Sequence, residues 1–183
     1  MAADPRRRVG TSLIAQGLLQ MASQGGDSSS GSSGGSGRGS GTSRGTQSDW
    51  EAASVRSGRF TEAELPRLRE LAKDAAHGGR VTKGSWEEAE VGLGLEKSGA
   101  VRGLQRSTHP GEEFVDGARR SWDVKAFRSN NFDLDTAMAN MRRKLDGGID
   151  VMMDSRHLNA DQVAKLTDAV ERAGWGRRVL WWP

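Results

Sequence analysis

The chain contains no cysteine among its 183 residues. This absence excludes a disulfide framework, a cysteine-ligated zinc site and catalysis by a thiol. No run of about 18 apolar residues occurs either, so no segment is predicted to span a membrane. Hydrophobic residues make up only 34% of the sequence, and glycine occupies 25 positions. Because this is little apolar material for a globular protein of such length, we expect one folded domain accompanied by segments that do not fold.

The positive charge is modest in total but clustered along the chain. The formal net charge is +3, an excess that permits nucleic-acid binding without requiring it. Basic residues occur together at positions 6–8, 119–120, 142–144 and 177–178. Such clusters often only solvate a surface, and we expect the group at 142–144 to lie on the exposed side of a helix.

A long stretch of glycine and serine divides the chain. Residues 25–48 are almost entirely these two types, and such a segment buries too little apolar surface to offset the entropy lost on ordering. We therefore predict a short N-terminal segment over residues 1–24, with a weak helix, and a flexible Gly/Ser-rich linker over residues 25–58. The folded domain is predicted to comprise residues 59–183, preceded by a disordered N-terminal region.

Hydrophobic periodicity and capping residues predict the elements of that domain. Four helices are expected at 61–76, 85–98, 133–147 and 159–173, the second opened by a capping box of Ser85 and Glu88. Strands are expected at 100–107, 112–116, 121–127, 149–155 and 177–183. Because a helix between two strands implies a crossover and some parallel pairing, the pattern predicts an α/β sandwich.

The stretch Phe114–Lys125, with sequence FVDGARRSWDVK, concentrates residues that can perform chemistry. Asp123 and Lys125 are two apart in a predicted strand and so point to the same face. A tight hairpin would bring Asp116 near them. Two adjacent carboxylates repel each other unless a cation lies between them, and Mg²⁺ favours such oxygen ligands. The simpler interpretation is a surface ion pair between Asp123 and Lys125, which contributes only about 0–1 kcal/mol.

This arrangement resembles the PD-(D/E)xK nuclease superfamily, whose restriction-endonuclease-like core has the order αβββαβ. The resemblance implies that core here, with an extra C-terminal helix and strand. It also implies catalytic roles for Asp116, Asp123 and Lys125 and a glutamate from the preceding helix. Glu90 is the expected glutamate, with Glu87 and Glu96 as alternatives. Glu90, Asp116 and Asp123 would then hold Mg²⁺, or Mn²⁺ or Zn²⁺ in its place.

Residues 81–183 more closely resemble the C-terminal tRNase domain of CdiA-type polymorphic toxins, and the FVDG and WDVK segments are the most specific part of the likeness. The resemblance implies metal-dependent cleavage of tRNA in the cytoplasm of a target bacterium, blocked by a cognate immunity protein. Arg119, Arg120 and Arg128 are the candidate substrate-binding residues, since cations beside the site suit a polyanion. A DNA endonuclease of the same fold and a non-catalytic protein-interaction module remain the alternatives.

Overall fold

An antiparallel hairpin and a set of parallel strands share one sheet in the computed structural model, which describes residues 45–183. The strands are β1 (Gln105–Arg106), β2 (Phe114–Val115), β3 (Ser121–Ala126), β4 (Asp150–Asp154) and β5 (Val179–Trp182). They lie side by side in chain order. β1, β2 and β3 pair antiparallel, whereas β3, β4 and β5 pair parallel. The parallel pairs require crossovers, and a helix forms each one.

Five α-helices among residues 45–183 cover the two faces of the sheet. Their bounds are α1 (Gln47–Arg56), α2 (Leu65–Ala72), α3 (Lys83–Lys97), α4 (Leu134–Asp146) and α5 (Ala160–Arg172). Short 3₁₀ turns occupy Glu62–Glu64, Ala75–His77 and Ser129–Asn131. The first three helices pack on one face of the sheet and the last two on the other, so the domain is a three-layer α/β sandwich.

The alternation of side chains along each strand divides the apolar core in two. Trp122 and Met152 face α2 and α3 in one cluster, whereas Val151 and Met153 face α4 and α5 in the other. Trp122, Met152 and Met153 are wholly buried. Burying such a side chain contributes roughly 1.5–3 kcal/mol, so both faces of the central strands stabilise the fold.

Most of the predicted elements are confirmed. The mixed α/β class is confirmed, and so is the order in which helices come first, three strands follow, and helices and strands then alternate. Asp133 caps α4 and Asn159 caps α5 through side-chain hydrogen bonds to backbone N–H groups. Gly99 follows the end of α3 with a φ of 78°, a conformation that glycine adopts without strain.

Three details of the prediction are wrong. The helix expected at 61–76 is interrupted because Lys73 is extended and Asp74 caps a separate turn. The strand expected at 100–107 shortens to β1. The capping box of α3 joins Thr82 to Ser85, not Ser85 to Glu88. The last difference matters for the site, because the carboxylate of Glu88 is not used to cap the helix.

The predicted linker ends too late in the chain. Residues 47–56 form α1, and its Ser54 is 2% exposed. The Ser54 hydroxyl donates to Glu90 Oε1 at 2.5 Å and accepts from the indole Nε1 of Trp86 at 2.9 Å. Glu51 adds an ion pair with Arg69 of α2 at 2.7 Å. These contacts make α1 part of the folded domain, which the run of glycine and serine before it concealed.

The predicted N-terminal segment, residues 1–24, and the linker residues 25–44 lie outside the described residues. Within residues 45–183, no helix combines the length and the apolar character needed to cross a lipid bilayer. That finding agrees with the expectation of no membrane span for this part of the chain.

Substituting Ser54→Ala tests whether α1 belongs to the domain. The substitution leaves the buried Trp86 indole without its acceptor and removes a hydrogen bond from Glu90, so we expect the free energy of unfolding to fall by about 1–3 kcal/mol. Chemical denaturation of the full chain measures the change. Ser48→Ala, in an exposed position of the same helix, is the control and should leave stability unchanged. Equal stability of both variants would show that α1 does not contribute.

Candidate active site

The candidate site lies where β3 extends beyond β2. β2 begins at Phe114, whose partner is Trp122, so the following part of β3 has no partner strand on that side. Glu113, the residue just before β2, lies beside this unpaired edge of β3. Its backbone N–H donates to the carbonyl of Trp122 at 2.9 Å, and its side-chain Oε2 accepts from the N–H of Val124 at 3.2 Å. A carboxylate is thereby placed directly beside the β3 backbone, next to Asp123.

Asp123 is the most buried carboxylate of the site, with its side chain 1% exposed. Lys125 contacts its Oδ2 atom, as the alternation of strand residues predicts. Lys144, from α4, contacts Oδ1 at 2.5 Å and donates to the carbonyl of Gly111 at 2.6 Å. Two ammonium groups from different elements therefore surround one buried aspartate.

Glu88 brings a third carboxylate to the site from α3. It pairs with Arg106 of β1 at 2.8 Å, and Arg106 also lies 3.7 Å from Asp74. The Arg106 side chain is 11% exposed and stacks over the ring of Phe114 at 5.2 Å. Arg106 is therefore fixed in place and holds Glu88 on the side of the sheet edge where Glu113 lies.

Burial and mutual repulsion disturb the ionisation of these carboxyls. Burial, assisted by the charges of Asp123 and Glu88, raises the pKa of Glu113 to about 7. Burial also raises the pKa of Glu88, although Arg106 opposes the shift, and the charges of Asp74 and Asp123 add to it. Acidic groups with pKa values displaced in this way concentrate at functional sites.

The carboxylate oxygens of the site are ligands of the type that a hard divalent cation prefers. The side chains are not arranged as a ligand cage. In the described part of the chain, no group of three or more His, Cys, Asp or Glu residues stands ready to hold a metal ion. Asp123 Oδ2 is buried, and the ammonium group of Lys125 lies directly against it. Glu113 and Glu88 supply the further oxygen atoms that Mg²⁺ prefers. A cation would have to displace a lysine ammonium from Asp123 and a proton from Glu113.

Asp116 does not join this cluster, and its predicted meeting with Asp123 is wrong. The hairpin register places Asp116 on the face of Phe114 and Trp122, whereas Asp123 points to the opposite face. The Asp116 carboxylate accepts hydrogen bonds from Ala118 N, from Arg120 N and Nε, and from Trp122 Nε1. Although burial acts against ionisation, these donors lower its pKa. Asp116 therefore stabilises the turn of the hairpin.

Glu90 is also placed away from Asp123, in a separate ion network. Arg156 contacts its carboxylate, and Arg156 Nη2 pairs with Asp154 at 2.7 Å. The guanidinium also stacks over Trp182 at 4.4 Å. Asp154 and Arg156 thus form an ion pair at the end of β4, and Glu90 extends that pair to α1 through Ser54.

The alternative helix glutamates are engaged elsewhere as well. Glu87 lies 3.7 Å from Lys83 on the surface of α3, and Glu96 pairs with Arg67 at 3.1 Å. Of the candidate substrate-binding residues, Arg119 and Arg120 lie in the turn between β2 and β3, at the end of the hairpin opposite to Glu113. Arg128 is exposed in the loop after β3.

Sequence reasoning missed Glu88, Glu113 and Lys144. A three-residue hairpin loop at Gly117–Arg119 pairs Val115 with Ser121, and that register would have aligned Glu113 rather than Asp116 with Asp123. Lys144 was assigned to a solvated helix face, and in fact its side chain is only 19% exposed. Its neighbours Arg142 and Arg143 are exposed as expected.

The raised pKa of Glu113 predicts a pH-dependent stability. Its folded value of about 7 exceeds its ordinary value of 4.5, so the folded state binds more protons between these limits. The free energy of unfolding should therefore fall as the pH rises from about 4.5 to 7. Glu113→Gln should remove this component, on the order of 2–3 kcal/mol, while keeping an acceptor for Val124.

Urea denaturation at pH 5 and pH 8, with EDTA present, measures this effect. The stability advantage of Glu113→Gln over the wild type should appear at pH 8 and vanish at pH 5. Glu62→Gln, at an exposed position, serves as the control for the loss of a charge. A constant difference between Glu113→Gln and wild type at both pH values would contradict the assignment.

Comparison with known proteins adds no relative from which a role could be transferred. No protein-family model, no curated protein and no solved structure matches this chain at a significant level. The chemistry of the site must therefore be argued from its own residues.

Proposed function

We propose that this chain is a metal-dependent endonuclease that cleaves RNA, with tRNA as its expected substrate. The observation that supports the proposal is the group of three mutually repelling carboxyls, Glu88, Glu113 and Asp123, beside two lysines. A purely structural ion cluster has no need for the uncompensated Glu113. A phosphodiesterase needs such a carboxylate, because its reaction brings a metal cation and a polyanionic substrate to the same place.

We also propose that α3, β1, β2, β3, α4 and β4 form the αβββαβ core of the PD-(D/E)xK superfamily, with α5 and β5 as the additional helix and strand. In this assignment Glu113 takes the acidic position of the second strand that was expected for Asp116. Glu88 takes the helix position that was expected for Glu90. Asp123 and Lys125 keep the roles predicted from their spacing.

The carboxylates of Glu88, Glu113 and Asp123 would hold Mg²⁺ or Mn²⁺. Such an ion, when bound, supplies positive charge to the phosphate and lowers the pKa of a coordinated water. Of the protein's own groups, Lys125 is placed to orient the attacking group or to stabilise negative charge developing on the phosphate. Lys144 contacts Asp123 directly and connects α4 to the loop at Gly111.

The biological setting follows from the same proposal. The likeness to CdiA-type toxin domains supports action on tRNA in the cytoplasm of a target bacterium and inhibition by an immunity protein. DNA is the alternative substrate for the same constellation, and product analysis with both nucleic acids distinguishes the two. The 2′-hydroxyl of RNA is a second possible nucleophile, and it would leave cyclic phosphate ends.

The proposal predicts which aspartate of the hairpin is needed for cleavage. Asp123→Asn and Glu113→Gln should lower the rate of tRNA cleavage in Mg²⁺ by about 10²-fold or more, since each removes a charged group from the reacting centre. Asp116→Asn is the comparison from the same hairpin and, below its melting temperature, should lose far less activity than these two variants, because Asp116 contacts Arg120 and the hairpin turn but not the carboxyl cluster. Gel analysis of labelled tRNA, with and without EDTA, measures the rates.

Two results would count against this assignment. If wild type and Asp123→Asn cleave tRNA and DNA equally poorly, with or without Mg²⁺, the cluster is a structural ion network and the protein is better explained as an interaction module. If Asp116→Asn loses activity while its melting temperature is unchanged, the reacting centre lies on the other face of the sheet.

A further inference from the structure

An open groove of about 580 Å³ lies at the end of the hairpin away from the carboxyl cluster. One wall is the loop of residues 99–103 that follows α3, and the other is formed by residues 116–118 and Arg120. Arg102 and Arg120 line it and are exposed, and the exposed Arg119 lies in the turn between the lining residues Ala118 and Arg120. The groove therefore combines concave backbone with three positive charges.

The two walls of the groove are fastened to each other. The N–H of Gly117 donates to the carbonyl of Arg102 at 2.8 Å. A β-carbon at Gly117 would lie 3.0 Å from that same oxygen and would force the two backbones a few tenths of an ångström apart, so glycine suits this close approach. This hydrogen bond fixes the two walls relative to each other, so less conformational entropy is lost when a ligand binds between them.

Arg119 adopts a backbone conformation that disfavours it. Its φ is 64°, and among residues 45–183 it is the only non-glycine residue with a positive φ. Its N–H donates to the carbonyl of Asp116 at 2.8 Å, closing a three-residue turn whose last position normally carries glycine. An arginine there is destabilising, and strain of this kind concentrates at ligand-binding positions.

Arg120 is oriented by the residues around it. Its Nε donates to Asp116 Oδ2 at 2.9 Å, and its guanidinium stacks over Trp122 at 4.8 Å. The Asp116 carboxylate, which also lines the groove, is 2% exposed and accepts four hydrogen bonds, so its oxygen atoms are largely shielded from a ligand. The Arg120 side chain, in contrast, is 47% exposed.

We propose that this groove binds the phosphate backbone of a nucleic-acid strand, with Arg102, Arg119 and Arg120 as its cations. The inference rests on the proposed nuclease function and extends it, because it assigns a second contact region for the substrate. Arg120 and Lys125 are five residues apart, about 17 Å along the chain, and point to opposite faces of the sheet, so a nucleic-acid strand that contacts both passes around the edge of the sheet. Contacts to phosphate carry no base specificity and position the substrate along the protein.

The test measures RNA affinity by fluorescence anisotropy with a fluorescein-labelled tRNA transcript. The full chain carries Asp123→Asn to prevent cleavage, and Arg119→Gly is compared with Arg119→Lys in that background. Arg119→Gly should weaken binding about five- to eightfold at 0.1 M salt and reduce the slope of log affinity against log salt by about 1. It should also raise the melting temperature by about 2–4 °C, since the backbone strain is relieved.

The controls separate charge from backbone conformation. Arg119→Lys keeps the charge and the strain, so its affinity and melting temperature should stay near those of the parent. Lys165→Gln removes an exposed charge from α5, which joins β4 to β5 at the end of the sheet farther from the groove, and should not change the affinity. Equal affinities for the Gly and Lys variants would overturn the proposal, as would a parent chain that does not bind RNA.

Failure of the proposed nuclease function gives a different pattern. In that case the wild-type chain binds tRNA through the groove and Arg119→Gly weakens the binding, yet no variant cleaves RNA. The groove assignment then stands without the cleavage reaction. If cleavage depends on Asp123 but binding is indifferent to Arg119, only the groove assignment fails.

Discussion

The contact between the buried Asp123 carboxylate and the ammonium groups of Lys125 and Lys144 is the interaction on which the site depends. Removing a carboxylate from water costs several kcal/mol unless opposite charges and hydrogen bonds compensate it. Lys125 comes from the same strand, but Lys144 must be carried in by α4. The packing of α4 against β4 is therefore part of what brings a positive charge to the buried Asp123 carboxylate.

Because both lysines contact Asp123, the neighbouring carboxyls of Glu88 and Glu113 differ in how many cationic partners they have. Glu88 has Arg106 as a partner, whereas Glu113 forms no ion pair within residues 45–183. The site has three carboxyls and three cations, yet the cations contact only Asp123 and Glu88. The uncompensated position beside Glu113 is where an additional cation is most favourable. In the contrasting network, Glu90 and Asp154 both contact the guanidinium of Arg156, and Ser54 donates to Glu90, which fits a structural role.

Simple periodicity predicted the parts of this arrangement that depend on one element. Asp123 and Lys125 share a face because they are two residues apart on one strand, and Asp133 and Asn159 cap their helices because the local pattern requires it. The residues that depend on two elements were not predictable in this way. Predicting Glu113 rather than Asp116 beside Asp123 required knowledge of the hairpin register, because a shift of one residue reverses the sheet face to which each side chain points. Choosing Glu88 over Glu90 required the orientation of α3 relative to the sheet.

The most direct test of the central claim is anomalous scattering from crystals of the protein soaked with Mn²⁺ at pH 8, where Glu113 is ionised. The account predicts an anomalous peak among the carboxylates of Glu113, Asp123 and Glu88, and no such peak in the isosteric Asp123→Asn protein. A map with no peak there, or one in which Asp123→Asn retains it, would show that the lysines close the site to cations and would contradict the account.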